Sequence, residues 1–510
     1  MKAILVALIA AVALAAPAAA ASGPTIPSSD PFYTYTGSAP LSSIAPGTVL
    51  KQRTITIVDE GKTTTLSGTQ VLYRTTGELG QPTVTVATII RPSSAVPTTK
   101  ILSYQMAYDA LGPECDPSYT LQGGNPSGAS TNEEEEQIVA AYVSSGVTVV
   151  VPDYEGTSLD WAAGQEEGYN TLDGIRATEN LLKLPAASTP AAMVGYSGGS
   201  IATEFASELA PAYAPKLDLV GVAEGGVPVD FAHNTNYING SQGWSGVIPA
   251  VLVALARAFH LPLAPYSSAF GLKIANQVKD ECINSFFGAY PGLTVQKLLK
   301  PAWQKYFFSI PGVAAITDKL IMGRTGTPKG PLFMGVGNAD GTGDGVMIAN
   351  DVEALAHEYC QRGVSVQFNV YKGDDHTEAA VPFEAGALTF LTNRLNGLPV
   401  SNGCSSIGTG NSLTPLPLPP NLRLSYAGPS KKLGGVVVYL RAASTGTLPN
   451  LTVTLRRGRR LVEALEIASV STKSLKLVLR HNGHALSKGS YTVTVTQPTR
   501  KLARKAFRIR

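Results

Sequence analysis

The stretch Ala191-Ala192-Met193-Val194-Gly195-Tyr196-Ser197-Gly198-Gly199-Ser200 decides how the rest of the chain is read. Four apolar residues of strand character end in Gly195, a serine stands two places on, and two glycines lead into a helix over Ser200–Leu209. A strand that closes on Gly-x-Ser-x-Gly and passes directly into a helix is a tight turn that lifts the serine above a sheet. Small residues flank it because larger side chains would strike neighbouring backbone. The pentapeptide alone also fits an ordinary glycine turn; the strand before it and the helix after it give it weight.

Outward from this turn the chain alternates strand and helix. An apolar stretch at Ile101–Tyr104, an acidic helix from Glu133 to about Ser144 and a nearly all-β-branched run, Val147–Val151, come first. A helix around Leu172–Leu184 precedes the quoted strand, and a strand at Leu217–Ala223 follows its helix. Fully apolar strands joined by helices predict a parallel sheet covered on both faces. Between Val49 and Pro92, β-branched and polar residues alternate as in half-buried antiparallel strands. From about 230 to 325 the alternation stops and helix-like apolar segments appear at Ile248–Phe259, Val295–Leu299 and Ala302–Phe308. That block is too long for a loop and reads as an inserted helical cap, or lid. A strand at Pro331–Val336, a helix at Asp351–Gln361, a strand at Val364–Tyr371 and a helix around Pro382–Arg394 then resume the pattern. The proline-rich spacer Ser412–Pro420 predicts a linker over 412–421. Beyond it, β-rich runs at Gly435–Leu440, Leu451–Leu455, Ser474–Leu479 and Ser490–Thr496 predict a small all-β, Ig-like sandwich over 422–510.

A length of 510 residues allows two or three domains, and 44% apolar with 15% charged residues, 51 glycines and 35 prolines excludes wholesale disorder. The formal charge of +3 hides an asymmetry. Of 40 Lys+Arg and 37 Asp+Glu, 18 and 2 respectively lie after residue 420, so an acidic body carries a basic tail. Lys2, the apolar run Ala3–Ala16 and the small residues Pro17–Ser22 read as a secretory signal over 1–21, too short in its apolar part to span a bilayer. The stretch Val247–Ala264 is interrupted by Pro249, Arg257, His260 and Pro262 and reads as a buried or lid helix. Cys115, Cys282, Cys360 and Cys404 make an even count in an exported chain and predict two disulfides with three possible pairings. No C-x-x-C pair or dense His/Cys cluster suggests a metal site.

A serine hydroxyl attacks only when a histidine takes its proton and a carboxylate orients that histidine. Of six histidines, His481 and His484 fall in the tail, His233 and His260 in or beside the cap, and His357 within a predicted helix. His376 remains, in the loop Lys372–Thr377 between the last strand and the last helix, and the order Ser, Asp, His fits. The acid belongs in Gly337–Gly345, where Asp340 completes a G-x-x-D near the strand end and Asp344 opens D-G-V-M. The residues alone leave the two open, with the unused one stabilising a glycine-rich turn.

These pieces come with others: Ser103-Tyr104-Gln105 through Asp109 to Cys115-Asp116-Pro117-Ser118-Tyr119, the segment Val149–Gly156, the helix Leu172–Ala177, and the run from Tyr359-Cys360 to His376. Together they resemble the secretory lipase family (Candida-type lipase A-like) of the α/β-hydrolase superfamily, over roughly Asp30–Cys404. The resemblance implies the α/β-hydrolase fold and a catalytic aspartate that falls on Asp344 counted back from His376 and on Asp340 counted forward from the strand. The loop carries about four extra residues, so Asp344 is favoured and Asp340 held in reserve. It implies an oxyanion hole from the backbone N–H groups of Gly198 and Asp109, and disulfides Cys115–Cys282 and Cys360–Cys404.

Phe259, Phe270, Phe286, Phe287, Tyr290, Trp303, Tyr306, Phe307 and Phe308 give the cap an aromatic complement that, as a group, suggests an apolar acyl pocket; any one of them also fits ordinary cap core. In the tail, Arg456-Arg457-Gly458-Arg459-Arg460 and Arg500–Arg510 suggest attraction to an anionic cell-envelope surface, or simply a solvated strand face. The runs lack the series of interleaved aromatics that would read a specific nucleic acid. The expectation is a monomeric serine hydrolase of lipid or other acyl esters, secreted and either free or associated with the cell surface, that needs no cofactor. An acyltransferase, peptidase or polymer esterase would use the same triad, and an inactive envelope-binding protein acting through its basic tail is the alternative of another class.

Overall fold

A computed structural model of the chain describes residues 23–59, 62–92, 99–498 and 500–510. The expected signal segment, residues 1–21, lies outside them. Nine strands form one sheet: β1 (Val49–Asp59), β2 (Lys62–Thr76), β3 (Pro82–Ile90), β4 (Ile101–Gln105), β5 (Thr148–Pro152), β6 (Pro190–Tyr196), β7 (Asp218–Gly225), β8 (Leu332–Asn338) and β9 (Val366–Lys372). They lie in the order β1-β2-β3-β5-β4-β6-β7-β8-β9. The first three pair antiparallel, β3 meets β5 antiparallel, and the rest are parallel.

Period-two alternation splits the central strands between two cores. Leu102, Val149, Val151, Ala192 and Val194 face Phe383, Phe390 and Leu391 of the last helix. Ile101, Val150, Ala191 and Met193 face Ile175 and Phe205, which belong to the helices Gly164–Leu182 and Gly198–Tyr213. Both faces are therefore dry, as the unbroken apolar strands require.

Between β7 and β8 the chain forms the helices Phe231–Ile238, Val247–Ala258, Ala269–Val278, Ile283–Phe286, Val295–Leu298 and Val313–Lys319. Ala302–Phe308, expected to be helical, is instead two 3-10 turns, Pro301–Trp303 and Phe307–Ser309. Tyr306 between them, at φ −134°, leaves the helical region. The disulfide Cys115–Cys282 ties this block to the segment after β4, and Cys360–Cys404 ties the helix Ala349–Gln361 to the exit of the body. No helix among the described residues is long and apolar enough to cross a membrane.

The C-terminal region is a small β domain of two sheets over one apolar core. One holds β10 (Leu422–Ser430), β11 (Gly435–Ala442) and β14 (Leu475–Leu479), in the order β10-β11-β14. The other holds β12 (Leu448–Arg457), β13 (Arg460–Val470), β15 (Gly489–Gln497) and β16 (Arg500–Ile509), in the order β13-β12-β15-β16. Strands β10, β13 and β16 went unrecognised in the sequence because each is an edge strand carrying charge or proline, which breaks the apolar alternation and blunts edge pairing. The run Arg456–Arg460 is the β12–β13 hairpin turn, and Arg500–Arg510 is largely the edge strand β16.

Candidate active site

Tyr196 ends the strand β6 and Gly198 starts the next helix, so Ser197 occupies the turn between them with φ 53° and ψ −123°. A non-glycine residue there is strained and persists only because its surroundings fix it. The amide of Ser197 donates to the Gly225 carbonyl of β7 at 2.9 Å. A methyl group on Gly199 would collide with the Gln105 carbonyl at the end of β4, and one on Gly195 with the Gly199 carbonyl. Neighbouring backbone thus leaves room only for glycine at positions 195 and 199.

Ser197 Oγ and His376 Nε2 are 2.7 Å apart, and His376 Nδ1 lies 2.8 Å from Asp344 Oδ2. His376 is buried, 4% exposed. It stands not in a loop but as the first residue of the helix His376–Leu395, six residues ahead of the Pro382 from which the helix was expected to start. Asp375 and Glu378 form a capping box that begins the helix there, and Pro382 is carried inside it. The Tyr196 hydroxyl donates to the His376 carbonyl at 2.6 Å, and the Trp244 ring meets the imidazole edge-on at 5.1 Å.

Asp344 is 1% exposed and its second oxygen, Oδ1, accepts from the amides of Val346 (3.0 Å) and Met347 (2.7 Å). The other candidate acid does different work. Asp340 Oδ1 accepts from the amides of Thr342 and Gly343, and Oδ2 accepts from the Tyr237 hydroxyl at 2.8 Å. Partial burial would raise its carboxyl, but the donors from Gly343, Thr342 and Tyr237 outweigh that and hold it below the ordinary carboxylate range. Asp340 folds the loop that presents Asp344. Tyr237 reaches it from the inserted block and also accepts from the Gly345 amide at 3.1 Å. Nothing in the sequence distinguished Tyr237 or Trp244 from ordinary cap residues.

Asp109 sits beside the elbow, its carboxyl packed where a Gly198 side chain would be. Its backbone is left-handed at φ 40°, and the loop is clamped on both sides: Ala107 N–H donates to Glu135 Oε2 at 2.8 Å, and Ala110 N–H to Glu155 at 3.1 Å. Burial pushes the Asp109 carboxyl up to about 7, against the opposing pull of His376. His233, by contrast, is drawn away to Asp351, 2.9 Å from its Nδ1.

A cavity of about 170 Å³ opens on Ser197, Gly198 and Asp109. The helix Val247–Ala258 turns one face to it, Val247, Ile248, Val251, Leu252 and Leu255, at the spacing of successive helical turns. Leu298, Leu299, Val313, Ile316 and Thr317 complete much of the opposite lining. Of the nine cap aromatics singled out in sequence, Phe307 lines it; Phe286 and Trp303 are packed into core and Phe270 is 46% exposed. The wall is mainly aliphatic, with Phe231, Trp244 and Tyr266 as its other cap-side rings.

A parallel sheet with antiparallel leading strands, a serine on a strained strand-to-helix turn, and a histidine opening the last helix define an α/β-hydrolase. The chain belongs to the secretory lipase family, whose model matches residues 121–403. It is 31% identical to lipase A of Arthroderma benhamiae over 76% of this chain and 83% of that one. It is 30% identical to a probable inactive lipase of Mycobacterium tuberculosis over 74% of this chain and 84% of that one. The crystal structure of Candida antarctica lipase A superposes with a TM-score of 0.68 at 27% identity, covering 78% of this chain and 92% of that one. The protein is accordingly a carboxylic ester hydrolase of the lipase type, and its family and two disulfides place it in an extracellular setting.

Proposed function

We propose that the protein cleaves the acyl esters of lipids, triacylglycerols included, through an acyl-enzyme on Ser197. The observation that carries this is the unbroken chain of short contacts, Ser197 to His376 at 2.7 Å and His376 to Asp344 at 2.8 Å, opening on an apolar cavity. His376 Nε2 takes the Ser197 proton as Oγ attacks the ester carbonyl. Asp344 holds the ring in the tautomer that presents Nε2 and offsets the charge it gains. The resulting oxyanion is met by the backbone N–H groups of Gly198 and Asp109, each such donor contributing about 2.7–4 kcal/mol to lowering the barrier. His376 returns the proton to the leaving alcohol, the acyl chain remains in the aliphatic cavity, and water repeats the sequence to release the fatty acid. The intact set of three side chains favours activity over the inactive character ascribed to one relative.

The test is hydrolysis of p-nitrophenyl butyrate and palmitate by the mature chain and by Ser197→Ala, with mass spectrometry of the quenched enzyme. Turnover by the wild type, none by the variant, and an added acyl mass on the peptide holding Ser197 are expected. Activity that survives in Ser197→Ala, or no turnover on either ester, would overturn the reading. Transfer of the acyl group to added alcohol or amine in preference to water would make the protein an acyltransferase.

A further inference from the structure

The C-terminal appendage touches the cap at two points, one on a helix that lines the acyl cavity and one on a turn that follows closely on lining residues. The first is made by the proline-rich segment. The Leu413 carbonyl accepts from Arg324 Nη2 at 2.8 Å, and Leu416 N–H donates to Asp318 Oδ1 at 2.7 Å. Asp318 belongs to the helix Val313–Lys319, whose Val313, Ile316 and Thr317 face the cavity.

The second point is made by the β domain itself. Asn450 in β12 takes a left-handed backbone, φ 54°, and its Nδ2 donates to the Ala302 carbonyl at 2.7 Å. Ala302 follows closely on Leu298 and Leu299, which line the cavity, and precedes Trp303. Trp303 is 2% exposed and meets edge-on, at 5.1 Å, the ring of Tyr266, another lining residue. Lys300 Nζ donates to the Ala264 and Pro265 carbonyls at 2.9 and 3.0 Å, so the segments about 265 and 300 form one wall. Beside this contact an open crevice of about 860 Å³ separates Pro265, Lys300 and Trp303 from Thr452, Glu466 and Lys501. The appendage therefore meets this wall through a narrow polar contact beside solvent, and the β domain has its own apolar core.

We infer that the C-terminal β domain and its linker brace the cap, and that through Asn450–Ala302 and Leu416–Asp318 they fix the cavity wall and so set acyl-chain selectivity. The inference rests on the ester-hydrolase reading of the site. Loop-like elements without such fixed points open locally at low cost. A wall contact counts only for acyl carbons that reach it, so loosening the wall lowers turnover of long chains relative to short ones. Asn450 and Asp318 act as positioning residues, remote from the reacting atoms.

The experiment compares the full chain with Asn450→Asp, which keeps the size and left-handed tolerance of asparagine but removes the N–H donor, with Asp318→Ala, and with the double variant. kcat/KM is measured on p-nitrophenyl butyrate and palmitate, and amide hydrogen exchange is followed over 298–303 and 313–319. Butyrate turnover is expected to stay within twofold of the parent. The palmitate-to-butyrate ratio is expected to fall about three- to tenfold in the double variant, the scale of one or two lost hydrogen bonds, with faster exchange in both segments. An unchanged ratio with unchanged exchange, or a parallel fall on both esters, would overturn the brace. A wild type inert on both esters would overturn the hydrolase reading instead; the exchange measurement would then decide the brace alone, unchanged protection counting against it.

Discussion

The catalytic body and the C-terminal β domain handle burial in opposite ways. The body takes many carboxyls out of water, among them Asp109, Glu135, Glu155, Glu167, Glu204, Glu208 and Glu224. In the β domain, among the described residues, the one buried polar side chain is Gln497, whose Nε2 donates to the Pro449 carbonyl at 2.8 Å. The difference follows from what each must hold. Loops at one end of the large sheet are kept in conformations they would not adopt alone, and buried glutamates catch their amides: Glu135 at Ala107, Glu155 at Ala110, Glu167 at Ala162. Among its described residues the β domain has no loop held by a buried carboxylate, so apolar alternation suffices and its charge stays at the surface.

The sharpest way to test that division is at the serine itself. Ser197→Ala should lower kcat by roughly 10⁶-fold while leaving the circular dichroism and thermal unfolding of both regions unchanged, since the hydroxyl is made for chemistry rather than packing. A fall of less than a hundredfold would mean that another nucleophile does the work. Next come the two acids of one loop. Asp344→Asn should cost about 10⁴-fold by stabilising the wrong tautomer of His376. Asp340→Asn keeps an acceptor for the loop amides and should cost less than about tenfold. Comparable losses in the two variants would remove the distinction between an acid that orients His376 and one that shapes a turn.

How much of this was legible depended on what carried the signal. The elbow was readable because its constraint is local: Gly195 and Gly199 sit where neighbouring backbone leaves no room for a side chain, with Ser197 between them, so the spacing itself encodes the turn. His376 could be reached by elimination and chain order, although its position opening the last helix could not be seen past Pro382. The residues alone left Asp340 and Asp344 open, because both stand in a glycine-rich loop, and only the resemblance favoured Asp344; in the structure their partners differ, His376 for Asp344 and Tyr237 for Asp340. The cap aromatics could not be told apart for a different reason. Large apolar side chains fill core as readily as they line a cavity, and here the helix Val247–Ala258 supplied an aliphatic face instead. In the tail, the basic runs fitted a solvated strand as well as a binding surface, and they form a hairpin turn and an edge strand.

Of smaller effect is loss of a crosslink, which should touch the body alone. The Cys115–Cys282 bridge closes a separation of 167 residues, and chain entropy assigns it about 5 kcal/mol. Replacing both cysteines with serine should lower the calorimetric transition of the body, on the order of 10 °C, and leave that of the β domain in place. Coupled movement of both transitions would show that the two regions unfold as one unit.

The gentlest test changes no residue. Burial raises the carboxyls of Asp109, Asp153 and Glu224 to about 7, and those of Glu208 and Glu384 to about 8. A carboxyl whose folded-state value is raised binds its proton more tightly when folded. Its contribution is fully present below the ordinary carboxylate range and is lost as pH climbs through the raised value. The melting temperature of the body should therefore fall between about pH 4 and pH 8, most steeply from about 5 to 7, where the unfolded chain has lost these protons and the folded body still holds them, at roughly 1 °C for each kcal/mol lost. The β domain buries no carboxyl among its described residues and should melt at nearly the same temperature across that range. A body that gains stability with pH would mean that its buried acids are held ionised by their amide donors, and the contrast between the two regions would then be one of hydrogen bonding rather than of protonation.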